Sequence, residues 1–129
     1  MLVRALTVRQ PYASLIFVAS KQAKATHGQF LKDVENRSWP TRFRGELVIH
    51  AGLRVDERAC KKFGLNPAEL PRGVALGRVT LTDCVRNHSS KWADQGQWHW
   101  VLANPRLFSE AIPARGRLGI FKLNLPSNI

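Results

Sequence analysis

Apolar and polar positions alternate from the start of the chain. "LVRALTV", Leu2 to Val8, has the period-two pattern and β-branched content of a strand. The period changes in "QPYASLIFVAS", where Tyr12, Leu15, Ile16 and Ala19 fall at i, i+3, i+4 and i+7. That spacing predicts a helix with Pro11 at its first position, where a missing N–H costs nothing. "SKQAKATHGQF" shows no period and predicts a long basic loop carrying Lys21, Lys24 and His27. "KDVENRSW" reads as a short extended segment, "TRFRG" as a basic turn. "GELVIHAG" is a clear strand, with Leu47, Ile49 and Ala51 on one face and Glu46, Val48 and His50 on the other.

Asp56 can cap a helix over "DERACKKFG" that ends at Gly64. "NPAEL" adds one turn, with Asn66 as cap and Pro67 at the first position. "RGVALGRVTLTDCV" is a long strand whose Gly73 and Gly77 point to a bulge or a close backbone approach. After the polar loop "RNHSSKWADQGQ", "WHWVLANP" predicts a strand stopped by Pro105. "RLFSEAIPARG" and "RLGIFKLNL" predict a last strand pair joined near "PARG". The tally is about six strands and two or three short helices, with no internal repeat and no regular βαβ alternation. It predicts one α+β domain over residues 1–129: a small, strongly bent sheet or partly closed β-barrel, not a doubly wound parallel sheet.

Composition bounds the function. An apolar fraction of 44% in 129 residues supports a single core. No apolar run reaches membrane-spanning length, and "MLVRALTVRQP" lacks the apolar centre of a signal peptide. Cys60 and Cys84 have no metal-ligand spacing and are too few for a disulfide framework. The expectation is a cytoplasmic protein with both thiols free and buried. His27, His50, His88 and His99 are scattered, so neither a metal site nor any cofactor is expected.

Charge changes the picture most. Twenty Lys and Arg against nine Asp and Glu give +11. Residues 1–64 hold 12 basic and 5 acidic groups, residues 65–129 hold 8 and 4. The whole domain is basic, rather than a neutral domain with a basic tail. Such a field attracts polyanions, nucleic acid first, although solubility alone also accounts for a basic surface.

The densest chemistry lies in "FLKDVENRSWP", Phe30 to Pro40. On an extended chain Asp33, Glu35, Arg37 and Trp39 share one face. An acid, a guanidinium and an aromatic plane together form a base-reading surface, by stacking and edge hydrogen bonds. The same pattern also fits an edge strand whose charges prevent aggregation. Lys32 has the wrong parity to join Glu35 on a regular strand; it reaches Glu35 only if the chain turns or bulges at residues 32–34. His50 at a strand end is a general base, a ligand contact or a histidine satisfied by a backbone group. Asp83 faces a cavity or simply begins a loop. Trp98 and Trp100 share a strand face with Leu102, which places at least one of them in the core. Trp92, in a polar loop beside Lys91, is a candidate for stacking.

In order along the chain, "ALTVRQPYASLI", "KDVENRSWPTRFRGELVIHAG", "GVALGRVTLTDC", "WHWVLANPRLF" and "IPARGRLGIFKL" resemble the ASCH domain, a PUA-like β-barrel family. The central block carries its Lys-x-x-Glu-x-Arg-x-Trp signature. The resemblance implies a cleft beside the first helix, suited to RNA or a modified nucleoside. On matching positions Lys32, Glu35, Arg37 and Trp39 become cleft candidates, with Gln10, Tyr12 and Ser14 at the helix start and His50 and Asp83 beside them. The connection from Ser20 to Leu31 is longer than the family's usual turn. Glu35 also stands where the family's acyl-cytidine hydrolases carry a threonine.

The expected function is therefore binding of RNA or single-stranded nucleic acid, with a modified nucleoside as a further candidate partner and no membrane. Lys32, Arg37, Trp39, His50 and Trp92 are the specific contacts, and Lys21, Lys24, Arg42 and Arg44 supply nonspecific attraction. The alternative is a hydrolase cutting RNA or a nucleoside amide, with Lys32, Glu35 and Asp83 as catalytic groups.

Overall fold

A computed structural model of the chain describes residues 1–19 and 31–129. The predicted loop carrying Lys21, Lys24, His27 and Gly28 lies outside these residues. Six strands form one mixed sheet in the order β2-β5-β4-β3-β1-β6. They are β1 (Leu2–Gln10), β2 (Val34–Arg37), β3 (Gly45–Val55), β4 (Val74–Val85), β5 (Trp98–Pro113) and β6 (Ile120–Asn124). Two helices interrupt them, α1 (Tyr12–Leu15) and α2 (Glu57–Phe63), followed by a 3₁₀ turn at Pro67–Glu69. β1 and β3 run parallel; the other described pairs are antiparallel. The α+β class is as the sequence predicts.

The local signals explain α2 well. Asp56 accepts from the Ala59 backbone N–H at 3.0 Å, and Gly64 closes the helix in the left-handed region at φ 70°. Asn66 caps the following turn by accepting from the Ala68 N–H. The first helix is shorter than its periodicity predicts, four residues only, with Pro11 at the N-cap position. Its short face still divides the interior. Ala13 and Ile16 enter the main cluster with Leu6, Leu47, Ile49, Leu81 and Trp100, while Leu15 joins Val34, Phe63 and Trp92.

Gly77 is the predicted close approach. A Cβ there would stand 2.8 Å from both Leu107 Cα and Phe17 Cε1, and the β4–β5 register shifts between Ala75 and Gly77. Three such shifts along β4–β5 bend the two long strands.

β5 overturns two expectations. It continues through Pro105 to Pro113, and its second half pairs with β4. Pro105 is tolerated because it lies in an irregularity. Thr80 faces Ala103 and Arg78 faces Arg106, so Asn104 and Pro105 fall between ladder pairs, with Asn104 at φ 58°. The second overturned pairing is that of "RLFSEAIPARG" with "RLGIFKLNL": β6 instead pairs with β1, Leu2 opposite Asn124 through Leu6 opposite Ile120.

Both faces of the central strands are covered. The face of β3 assigned to Glu46, Val48 and His50 buries Val48 and His50, with Ala5, Ala75 and Phe121 around Val48. The His50 and Phe121 rings meet edge to face at 6.3 Å. The sheet bends, but among the described residues no ladder joins edge strand β2 to edge strand β6. Its hydrogen bonding is that of an open sheet, not a closed barrel. No described helix is long and apolar enough to cross a membrane. Cys60 is free and buried as expected, whereas Cys84 is free but only half-buried.

Candidate functional site

The segment before β2 does not continue the strand. The Lys32 N–H donates to the Leu15 carbonyl at the end of α1 at 2.8 Å, and the Leu102 N–H donates to the Asp33 carbonyl at 2.9 Å. The second bond extends the β2–β5 register by one residue, Asp33 opposite Leu102, whereas the first turns residue 32 away to α1 just before the ladder that begins at Val34. The parity problem is thereby removed. Lys32 Nζ reaches Glu35 Oε1 at 2.7 Å and also donates to the Val34 carbonyl.

Glu35 has a second cation on its other oxygen. Arg37 Nη2 lies 2.8 Å from Glu35 Oε2 and donates to the Thr7 carbonyl, also at 2.8 Å. Burial pushes the Glu35 carboxyl pKa up, but Lys32 and then Arg37 outweigh it, so the pKa sits below its ordinary value of 4.5. Glu35 is therefore an ionised bracket between two cations. The Arg37 guanidinium lies over Trp39, 5.5 Å from its ring centroid, and 6.0 Å from that of Trp100. Its buried Nε has no acceptor among the described residues.

β5 supplies the back wall. Trp100 stands opposite Glu35 in the β2–β5 ladder, fully buried, and donates through Nε1 to the Trp39 carbonyl at 3.1 Å. Trp39 meets Trp100 edge-on at 6.2 Å and keeps 43% of its surface exposed. Asn36 holds the loop before β5, donating to the Trp92 carbonyl and accepting from the Asp94 N–H at 2.9 Å each.

These groups line a cavity of about 940 Å³ between β1, β2, the end of β3, α2 and the loop before β5. Tyr12 is in its wall, with Lys32 Nζ 5.8 Å and Arg9 5.7 Å from its ring centroid. Burial and then Asp56 raise the Tyr12 pKa above its usual value. Seven basic residues line the cavity, Arg9, Lys32, Arg37, Arg54, Lys62, Lys91 and Arg117, against two acids, Glu35 and Asp94. Arg9, Arg54, Lys62 and Arg117 carry no spacing signal in the sequence. They come from β1, the end of β3, α2 and the segment before β6, and only the bent sheet brings them together.

Several sequence candidates belong elsewhere. Gln10 is fully buried; it binds Ser14 and donates to the Pro71 carbonyl at 2.8 Å, so this pair fastens the start of α1 rather than lining a cleft. His50 is consumed by Thr7 Oγ1 at 3.1 Å and the Ala114 carbonyl at 2.6 Å, outside the cavity wall. Asp83 is not in the wall either. β4 runs past it to Val85, and its exposed carboxylate lies 3.7 Å from Arg44. Arg44 itself donates to the Thr41 and Phe43 carbonyls, and Arg42 is exposed away from the cavity. Trp92 does border the cavity, but it is 5% exposed, with its ring 5.3 Å from that of Phe63. It is a core tryptophan with no open face for stacking.

The ASCH domain family model matches residues 29–111, and the chain belongs to that family. This stretch contains the whole Lys32–Trp39 segment and stops short of Arg117. No curated protein matches the sequence.

Proposed function

We propose that the domain binds RNA or single-stranded nucleic acid in the basic cavity beside the Lys32–Trp39 segment. One observation carries the reading: seven cations against two acids surround a cavity of about 940 Å³ that has an exposed tryptophan at its edge. The cations attract phosphate and Trp39 offers an open ring for a base. Glu35 holds Lys32 and Arg37 in fixed positions. The ASCH family, PUA-like in character, fits a ligand of this class. The volume lies within the ~300–1,000 Å³ typical of small-ligand clefts, enough for a nucleotide with part of its neighbours.

A second reading is favoured by Lys32 alone, an amine only 4% exposed at the cavity wall. As base or nucleophile it would serve hydrolysis of RNA or of an amide on a modified nucleoside. Glu35 is a poor partner for it. Both carboxylate oxygens are engaged by cations, and a depressed pKa lies far from the near-neutral value that suits a general acid or base.

Fluorescence anisotropy of a labelled short single-stranded RNA, titrated at several salt concentrations with the endpoint samples run on a gel, separates the two. Saturable, salt-weakened binding with intact RNA supports the binding reading. Shortened RNA supports the hydrolase. No binding at low salt removes the nucleic-acid reading.

A further inference from the structure

Two leucines on the edge of the cavity are left in water. Leu118 is 98% exposed and Leu53 76%, and both line the cavity. Leaving a leucine exposed forgoes about 1.5–3 kcal/mol each. Neither position is a loose end. Leu53 lies within β3. Leu118 follows an anchored segment: the Ala114 carbonyl accepts from His50, the Ala114 N–H donates to the Gly73 carbonyl at 3.0 Å, and Gly116 sits against Thr7 and His50. A Cβ on Gly116 would stand 2.7 Å from Thr7 Oγ1 and 2.9 Å from His50 Cε1. The buried histidine thus holds the strap that presents Leu118. Each leucine has an arginine as chain neighbour, Arg54 and Arg117, in the same wall.

An apolar edge within a cationic cavity fits a polyanion that also offers apolar faces. A flat anionic membrane has those properties but makes no use of a cavity. Nucleic acid uses both. The form of nucleic acid follows from the side-chain type. Unpaired strands stack their bases on aromatic rings. Aliphatic side chains instead act as wedges, entering between base steps and unstacking them. A base displaced from a helix then needs a pocket beside the wedge. Here the wedges and the pocket adjoin.

We propose that the cavity receives a nucleotide drawn out of a base-paired stem, with Leu53 and Leu118 entering the stack it leaves and Arg54 and Arg117 holding the flanking phosphates. The proposal rests on the nucleic-acid reading above and names the form of its substrate.

The test is the imino-proton spectrum of a ten-base-pair RNA hairpin titrated with the protein, beside anisotropy on an unpaired strand of the same length. The expected result is selective loss of one or two stem imino signals at stoichiometric protein while the others persist. The double variant Leu53→Ala/Leu118→Ala should retain all the stem signals while still binding the unpaired strand. Both changes are at exposed positions, and a thermal melt confirms the fold; Leu118→Asn is the second variant, with the same expectation. A bound hairpin with every imino signal intact, or a double variant that still removes them, overturns this inference and leaves the nucleic-acid reading standing. Binding to phosphatidylserine vesicles but not to the hairpin also overturns it. Failure to bind either RNA overturns both.

Discussion

Lys32 Nζ lies 2.7 Å from Glu35 Oε1, three positions along a chain that turns before its strand begins. Arg37 closes the other side of the same carboxylate at 2.8 Å. Three charges that alternation would scatter over two faces become one buried bracket at the cavity wall.

Removing the central charge should therefore be costly. Glu35→Gln leaves Lys32 and Arg37 facing an uncharged amide whose NH₂ cannot accept from either. Breaking a buried pair by deleting one partner costs about 3–5 kcal/mol. Urea denaturation of Glu35→Gln should show a loss in the lower part of that range, since Arg37 keeps its bond to the Thr7 carbonyl.

The same carboxylate sets a pH dependence. Its folded pKa is below 4.5, so the unfolded chain takes up the proton first as pH falls. The contribution of Glu35 is full above that ordinary value and is lost progressively as pH drops through the folded pKa. Stability measured from pH 6 downward should fall below about pH 4.5, and Glu35→Gln should fall less steeply over that interval.

Gly77 should tolerate no side chain. The Cβ of Gly77→Ala would press on Leu107 Cα and the Arg106 carbonyl, which belong to the paired backbone of β5, as well as on Phe17. Overpacking of this kind costs about 1–3 kcal/mol. Differential scanning calorimetry should show a lowered Tm, with nucleic-acid affinity affected only through folding.

The two facing tryptophans should separate stability from binding. Trp100→Ala empties a fully buried site and should cost about 3–5 kcal/mol of stability. Trp39→Ala, at a half-exposed ring held by Trp100 and Arg37, should cost less stability than Trp100→Ala and weaken RNA binding by about 1–3 kcal/mol, the usual worth of one base–aromatic stack. Chemical denaturation and anisotropy on the same samples check both halves.

Local chemistry made much of this architecture legible. Asp56 and Gly64 delimit α2 because caps act within a few residues, and Gly77 marks a close approach because a strand has few other uses for glycine. The condition for Lys32 to meet Glu35, a departure from the strand at residues 32–34, is also readable from parity. The long-range features are not. Nothing near Arg54, Lys62 or Arg117 says that β3, α2 and the strap before β6 converge. Pro105 reads as a stop until a backbone irregularity absorbs its missing donor. Trp92 reads as exposed because its sequence neighbours are polar, whereas Asn36 folds that loop over Phe63. Asp83 reads as facing a cavity or beginning a loop, and it does neither: β4 runs on to Val85 and leaves its exposed carboxylate beside Arg44.

The central claim is that the cavity, and not the general positive field of the domain, binds nucleic acid. The direct measurement is the salt dependence of affinity for a short single-stranded RNA, compared between two variants of equal charge. Arg54→Ala/Lys62→Ala/Arg117→Ala removes three cavity cations; Arg4→Ala/Arg42→Ala/Lys122→Ala removes three exposed cations outside it. At about 0.7 per single-strand phosphate contact, the cavity variant should lose roughly 2 units of log–log slope, and the control should stay close to the unmodified protein. Equal losses in the two variants would place binding on the diffuse basic surface and contradict the account.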